Sequence, residues 1–134
     1  MIAELICAYI IKSNSPVSCI EAIAKLESNL NYKAREALGE IGLFQMRPKY
    51  FKTSWDLNRQ IKLGIDALGT IKARCVRDLG QNWVACWNIG KSGALKLRGR
   101  KPGPYILKYI MLAKQTEIEF RRRYENLSYY SFNF

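Results

Sequence analysis

The residue in this sequence best suited to proton-transfer chemistry is Glu27. It follows an apolar stripe in which Ile20, Ile23 and Ala24 recur at helical spacing, so it ends one face of a predicted helix. A carboxyl group in such a position is partly removed from water, and desolvation raises its pKa towards the range that a general acid needs near neutral pH. The alternative is an ordinary acid at a helix end that is solvated or paired with a cation.

A second candidate is the amide of Gln45, which lies in a short apolar turn after Gly39 and Gly42. An amide in apolar surroundings needs hydrogen-bond partners, and the hydroxyl or acetamido groups of a sugar would provide them. The alternative is that Gln45 only ties down its own loop. Both interpretations predict that the turn has a fixed structure.

Two further segments combine aromatic and polar residues: Ala-Cys-Trp-Asn-Ile-Gly at 85–90 and Pro-Tyr-Ile-Leu-Lys at 104–108. With these, the chain resembles the catalytic domain of soluble lytic transglycosylases and goose-type lysozymes, which cleave the glycan strands of peptidoglycan. The segments that carry the resemblance, in the family's order, are Glu27-Ser28, Gly42-Leu43-Phe44-Gln45, Trp87-Asn88-Ile89-Gly90 and Tyr105-Ile106-Leu107-Lys108-Tyr109. They cover roughly residues 16–112 of the chain.

The resemblance implies an all-α, lysozyme-like domain with a substrate cleft, and it implies that Glu27 is the catalytic acid. The residues that it assigns to substrate binding are Ser28, Gln45, Met46, Asn88 and Tyr105. Three positions depart from the family pattern, with Phe44 in place of Met, Trp87 in place of Tyr and Ile89 in place of Ala. Each keeps an apolar or aromatic side chain, so the departures concern the shape of the sugar subsites more than the chemistry.

The implied reaction breaks the β-1,4 bond between N-acetylmuramic acid and N-acetylglucosamine. Glu27 protonates the glycosidic oxygen and then takes the proton of the sugar's own C6 hydroxyl, which gives a 1,6-anhydro product. The alternative is lysozyme-type hydrolysis, in which a second carboxylate roughly 6.5–9.5 Å from the acid holds a water. Glu40 is the only strong candidate for that carboxylate. Otherwise Glu40 orders its loop by pairing with Arg35 or Arg47.

The composition excludes several other kinds of chemistry. The 134 residues include no His, which removes Ser-His and Cys-His nucleophile pairs and most zinc hydrolases. The four cysteines, Cys7, Cys19, Cys75 and Cys86, form no C-x-x-C pair, so we expect no metal site and no cofactor. We expect the cysteines to be buried reduced thiols, with one or two disulfides as the alternative.

Helical periodicity dominates the chain, and no strand-like alternation competes with it. The pattern predicts a short helix over residues 2–10, a helix opened by Ser15 and Pro16, a helix capped by Asp56, a helix over 83–88 and a last helix that begins at Pro104. Residues 28–40 predict a long loop, and loops of this length in small domains are often functional. We therefore expect one all-α domain over residues 1–134.

The positive charge predicts polyanionic partners, because 22 Lys and Arg stand against 11 Asp and Glu, a net charge of +11. Basic residues cluster between Lys91 and Lys101 and at 121–123. They form either a solvated surface or a surface that holds the protein against anionic wall polymers or lipid headgroups. The distant alternative is a basic helical module that binds nucleic acid, but no helix has a polar face suited to base edges, so we expect no specific nucleic acid. A third interpretation is an inactive protein that only binds glycan.

No segment predicts a membrane span, because the longest apolar run, Leu5 to Ile11, is far shorter than the roughly 20 residues that a span needs. Glu4 precedes this run and no small-residue cleavage site follows it, so we expect no secretory signal peptide. We therefore expect a protein that acts in the periplasm or cell wall after delivery by another machine, such as a phage virion or a secretion apparatus. A phage lysis enzyme that crosses the membrane with a holin is the nearby alternative.

Overall fold

Helices account for the regular structure in the part of the chain that the structure describes. This computed structural model describes residues 2–3, 5–6 and 20–124, and the first two pairs are helical. The named helices are α1 (Ile20–Ser28), α2 (Leu57–Leu79), α3 (Val84–Leu95) and α4 (Pro104–Tyr124), with a 3-10 turn at Gly80–Trp83. No strand forms in the described ranges, which confirms the all-α prediction. Within the same ranges, no helix is both long enough and apolar enough to cross a bilayer.

The longest helix is α2, and local sequence signals explain where it begins and ends. The Asp56 carboxylate caps its first turn by accepting a hydrogen bond from the Arg59 backbone N–H at 2.9 Å. On its inner face, Ile61 and Ile65 are buried. The helix ends at Gly80, whose φ of 54° is easily reached only without a side chain. The predicted cap and apolar face are confirmed.

Helix α1 is short and enters the core directly. Ile20 and Ile23 have no exposed surface. The chain then leaves the helix through Asn29 and Leu30, which have left-handed φ angles of 52° and 63°. Glu27 therefore lies in the last turn of a helix that the core anchors. The predicted opening of this helix at residues 15–16 lies outside the described residues, as does most of the predicted helix over 2–10.

One hydrophobic cluster connects the four helices with the loop between α1 and α2. Helix α1 packs on α4 and α2, and α3 packs on α2 and α4. The largest fully buried apolar side chains of the cluster are Phe44, Ile6, Ile20, Ile23, Leu43, Ile61, Leu68 and Val84. Because Leu43 and Phe44 come from the loop, the core fixes the position of that loop relative to the helices.

The long loop after α1 is confirmed, and it contains a tight turn. Ile41 and Met46 exchange two backbone hydrogen bonds of 3.1 Å around residues 42–45. The Gly42 N–H donates to the Ala34 carbonyl at 2.9 Å, which ties the turn to the first half of the loop. These three backbone hydrogen bonds of the turn are made within the loop itself.

The expectation of reduced thiols is wrong for Cys75 and Cys86, which form a disulfide. The turn at Gly80–Trp83 reverses the chain, so α3 returns along α2 and the two Cα atoms come within 6.7 Å. The two cysteines are 11 residues apart, and the packing of α3 on α2 brings them together. No local motif signals such a pair. Cys7 and Cys19 lie outside the described residues.

Candidate active site

Three helices bring side chains together at the carboxyl group of Glu27. Glu27 is partly buried in the last turn of α1. The hydroxyl of Tyr105, at the start of α4, donates a hydrogen bond to Glu27 Oε2 at 3.3 Å. The side chain of Trp87, on α3, also interacts with the same carboxyl group and lowers its pKa. Its neighbours therefore hold the acid in one orientation.

The surroundings of Glu27 raise its pKa from an ordinary 4.5 to about 7. Burial is the largest cause, because it takes water away from the charged form. The hydrogen bonds with Tyr105 and Trp87 lower the pKa, and the negative charge of Glu40 raises it. Burial, followed by the charge of Glu27, holds the pKa of Tyr105 far above its usual range, so Tyr105 remains a protonated donor. Near neutral pH, Glu27 is populated both as an acid and as a base.

An open cleft of about 770 Å³ lies beside Glu27. Four of the predicted catalytic and binding residues line it: Glu27, Glu40, Gln45 and Asn88. Large side chains that the sequence analysis did not single out also line it: Leu38, Tyr50 and Phe51. Of these, Leu38 and Tyr50 are 70% and 63% exposed. Polar groups set among apolar side chains suit a ligand that has both hydroxyl groups and flat apolar faces.

The nitrogen and the oxygen of the Gln45 side-chain amide have different surroundings. Its Nε2 donates to the carbonyl of Gly42 at 2.9 Å and to that of Ala34 at 3.3 Å. Its Oε1 is buried and has no hydrogen-bond partner among the described residues. Gln45 therefore ties down its own loop, as one interpretation predicted, and it also keeps an acceptor without a partner at the cleft wall.

Ser28 and Met46 hold the site together from outside the set of residues that line the cleft. The Ser28 hydroxyl donates to the Leu43 carbonyl at 2.8 Å, with the Ala24 carbonyl as a second acceptor at 3.1 Å. Met46 is 6% exposed and belongs to the core. The Ser28 bond joins the end of α1 to the turn that carries Gln45, so it fixes the turn relative to Glu27. The predicted contacts of Ser28 and Met46 with sugar stay predictions.

Glu40 lines the same cleft as Glu27 and is paired with a cation. Arg47 Nε lies 3.1 Å from Glu40 Oε1, and both side chains line the cleft. Arg35, the other partner that the sequence predicted for Glu40, instead lies over the ring of Trp55, with 5.3 Å from its Cζ to the ring centroid. The ion pair crosses the neck of the tight turn, so Glu40 orders its loop whatever else it does.

Helix α2 positions the tight turn through two residues that the sequence analysis missed. The buried Gln60 accepts from the Leu43 N–H at 2.9 Å and donates to the Tyr32 carbonyl at 2.9 Å. Gly42 lies against the Gln60 side chain, and any Cβ there would collide with it. Gly64 in the same way leaves room for the ring of Phe44. A Gln at a helical position normally indicates a solvated surface, and only its partners show otherwise.

The short helical segment that carries Trp87 and Asn88 ends at the cleft. At Gly90 the backbone leaves helical geometry, with φ 81° and ψ 160°, as the predicted glycine end of this helix requires. Trp87 packs against Phe51, with 5.5 Å between ring centroids, and Asn88 is exposed on the cleft wall. The disulfide of Cys86 ties this segment to α2. The indole that contacts Glu27 is thus fixed by both packing and a covalent bond.

In the described part of the chain, no group of three or more His, Cys, Asp or Glu side chains could hold a metal ion. No protein-family model, curated protein or solved structure matches this chain. The function is therefore inferred from the site itself. Its central feature is the carboxyl group of Glu27, whose pKa is about 7 and which lies next to Tyr105 and Trp87 in a cleft lined by polar and apolar side chains.

Proposed function

We propose that this protein is a peptidoglycan lytic transglycosylase, with a lysozyme-like arrangement of helices around the cleft and Glu27 as general acid and base. The observation that carries the proposal is the partly buried carboxyl of Glu27, whose pKa of about 7 lets it both give and take a proton at neutral pH. The resemblance of the four sequence segments supplies the substrate class.

In the proposed reaction, protonated Glu27 gives its proton to the glycosidic oxygen as the bond from C1 of N-acetylmuramic acid breaks. The acetamido carbonyl of the same sugar stabilises the positive charge that develops at C1. Glu27, now a carboxylate, removes the proton of the C6 hydroxyl as that oxygen bonds to C1. The proton lost in the first step is thereby recovered, and no water is consumed.

The neighbours of Glu27 have separate tasks in this scheme. Tyr105 and Trp87 stabilise the carboxylate between the two proton transfers, because hydrogen bonds to the charged form favour it. The exposed amide of Asn88 is available to sugar hydroxyl and acetamido groups, and the Gln45 side chain lines the same cleft. The apolar side chains of Leu38 and Tyr50 are available to the faces of sugar rings.

The second candidate function is lysozyme-type hydrolysis, and the observation in its favour is that Glu40 lines the same cleft as Glu27. In that reaction Glu40 would hold and deprotonate a water. The ion pair with Arg47 occupies one oxygen of Glu40, which favours a structural role and the water-free route.

Mass spectrometry of the soluble products from purified peptidoglycan tests both functions. A transglycosylase releases fragments lighter by one water than those with reducing ends, whereas a lysozyme releases reducing ends. Glu27→Gln keeps the shape and loses the proton, so it should abolish either product. A wild-type protein that binds peptidoglycan without releasing fragments would contradict the proposal and indicate a glycan-binding protein.

We also propose that the protein acts in the periplasm or cell wall. The Cys75–Cys86 disulfide supports this, since such bonds persist in oxidising compartments. Delivery by a phage virion or a secretion apparatus would give a small enzyme of this kind local access to peptidoglycan. Immunodetection of the protein in purified virions or secretion-apparatus particles tests this route. A protein confined to the cytoplasm of producing cells would contradict it.

A further inference from the structure

The outward face of α4 carries a row of exposed apolar side chains. Leu107, Met111 and Ile118 are 56%, 51% and 58% exposed. At 100° per residue they fall within about 40° of one another on the helix, so they form a single stripe. The opposite side of α4 packs into the core through Ile106 and Tyr109. The stripe is therefore an apolar surface additional to the one that folding buries.

Cations border this stripe on both sides. Lys108, Lys114 and Arg122 are exposed, and with the stripe they span an arc of about 120°. No ion pair involves these three cations in the described part of the chain. Glu119 is partly buried at the edge of the arc. The exposed face thus consists of an apolar centre flanked by positive charges, which is the pattern of helices that lie in a lipid interface.

We propose that this face of α4 docks on a bilayer surface that contains anionic phospholipids, with the three apolar side chains between the headgroups and the three cations on lipid phosphates. A hydrated anionic polymer would use the cations but would leave the apolar stripe in water. A second copy of this chain would bring the cations against one another in a protein of net charge +11. Anionic lipid is the occupant that satisfies both components.

Docking in this way leaves the cleft accessible. Tyr105, whose hydroxyl donates to Glu27, leaves α4 about 140° around the helix from the centre of the stripe. The lipid-binding face and the side chain nearest the acid therefore point in different directions. This proposal does not depend on the proposed enzymatic function, since lipid binding is measured without glycan.

Co-sedimentation tests the proposal, using the full-length protein and vesicles of phosphatidylcholine alone or mixed with phosphatidylglycerol. We expect the wild type to bind the mixed vesicles and to bind phosphatidylcholine much more weakly. Replacing Lys108, Lys114 and Arg122 by Gln should weaken binding to mixed vesicles about a hundred-fold, from roughly five-fold per cation. The Leu107→Ser, Met111→Ser, Ile118→Ser variant keeps the charge and should weaken binding at least ten-fold.

A matched control uses the exposed residues of α2, where Arg74→Gln, Val76→Ser and Arg77→Gln remove two cations and one apolar side chain. That variant should retain most of the binding. Loss of binding in the control equal to that in the α4 variants would overturn the proposal and indicate attraction by net charge alone. The apolar variant binding like the wild type would overturn it too, since nothing would then insert. So would a wild-type dimer that the apolar variant dissociates, because a second copy would then occupy the face.

Discussion

Replacing Glu27 by Gln should make the protein more stable above neutral pH. The folded protein raises the pKa of Glu27 from 4.5 to about 7, so it holds this proton more tightly than the unfolded chain does. A group of this kind contributes stability that is complete below pH 4.5 and is lost as the pH rises through about 7. Gln cannot ionise, so the variant avoids that loss.

The magnitude follows from the size of the shift. At about 1.4 kcal/mol per pKa unit, a rise from 4.5 to about 7 corresponds to about 3 kcal/mol as an upper value. Glu27 keeps some contact with water, so we expect a gain of about 1–3 kcal/mol well above pH 7. Below pH 4.5 the two proteins should differ only by the small effect of exchanging a neutral acid for an amide.

Urea unfolding followed by circular dichroism, at several pH values, measures this difference directly. Glu36→Gln is the control, because Glu36 is an exposed acid that lines the same cleft, and its removal reports the general effect of losing one negative charge. A stability difference between wild type and Glu27→Gln that stays constant with pH would refute the account of the site. So would a wild type that gains stability over the variant as the pH rises.

Two further predictions concern the electrostatics and the backbone of the site. Tyr105→Phe removes a hydrogen bond that lowers the pKa of Glu27, so the pH at which activity is lost should rise by about one unit. Glu40→Gln removes a negative charge that raises the same pKa, so it should lower that pH. Profiles of peptidoglycan solubilisation against pH measure both changes, and shifts in the same direction would contradict the assignment. Gly42→Ala and Gly39→Ala both place a side chain at positive φ, but only the Gly42 variant collides with Gln60. Gly42→Ala should therefore lower the free energy of unfolding by about 2–4 kcal/mol, and Gly39→Ala by about 1 kcal/mol. Urea unfolding compares the two glycine variants, and equal losses would show that the turn is not held by Gln60.

Local signals predicted the helices well because they depend on nearby residues. Asp56 caps α2 through the N–H of Arg59, three residues along the chain, and Pro104 begins α4. The predicted helix at 83–88 is in fact a 3-10 turn followed by the longer α3, since the chain resumes a helix beyond Gly90. Boundaries of this kind depend on packing and are not encoded by the residues at the boundary alone.

The contacts that build the site could not be read from the sequence, because they join distant residues. Tyr105 and Glu27 are 78 positions apart, and Gln60 and Tyr32 are 28 apart. The sequence analysis identified Glu27, Gln45 and Asn88 as separate residues, and the structure brings them to one cleft. The resemblance offers no indication of Gln60, whose role depends on the carbonyl and N–H groups that face it, or of the disulfide between α2 and α3.

The pKa of Glu27 is raised although the net positive charge of the protein would lower it. A net charge of +11 stabilises carboxylates and would by itself lower the pKa of every acid. At Glu27 burial dominates instead, and the nearby charge that contributes is the negative charge of Glu40. Arg47, a cation that lines the same cleft, is paired with Glu40. The ion pair thus engages a positive charge of the cleft with Glu40. Burial overrides the overall field at the one carboxyl group that the proposed chemistry needs in its protonated form.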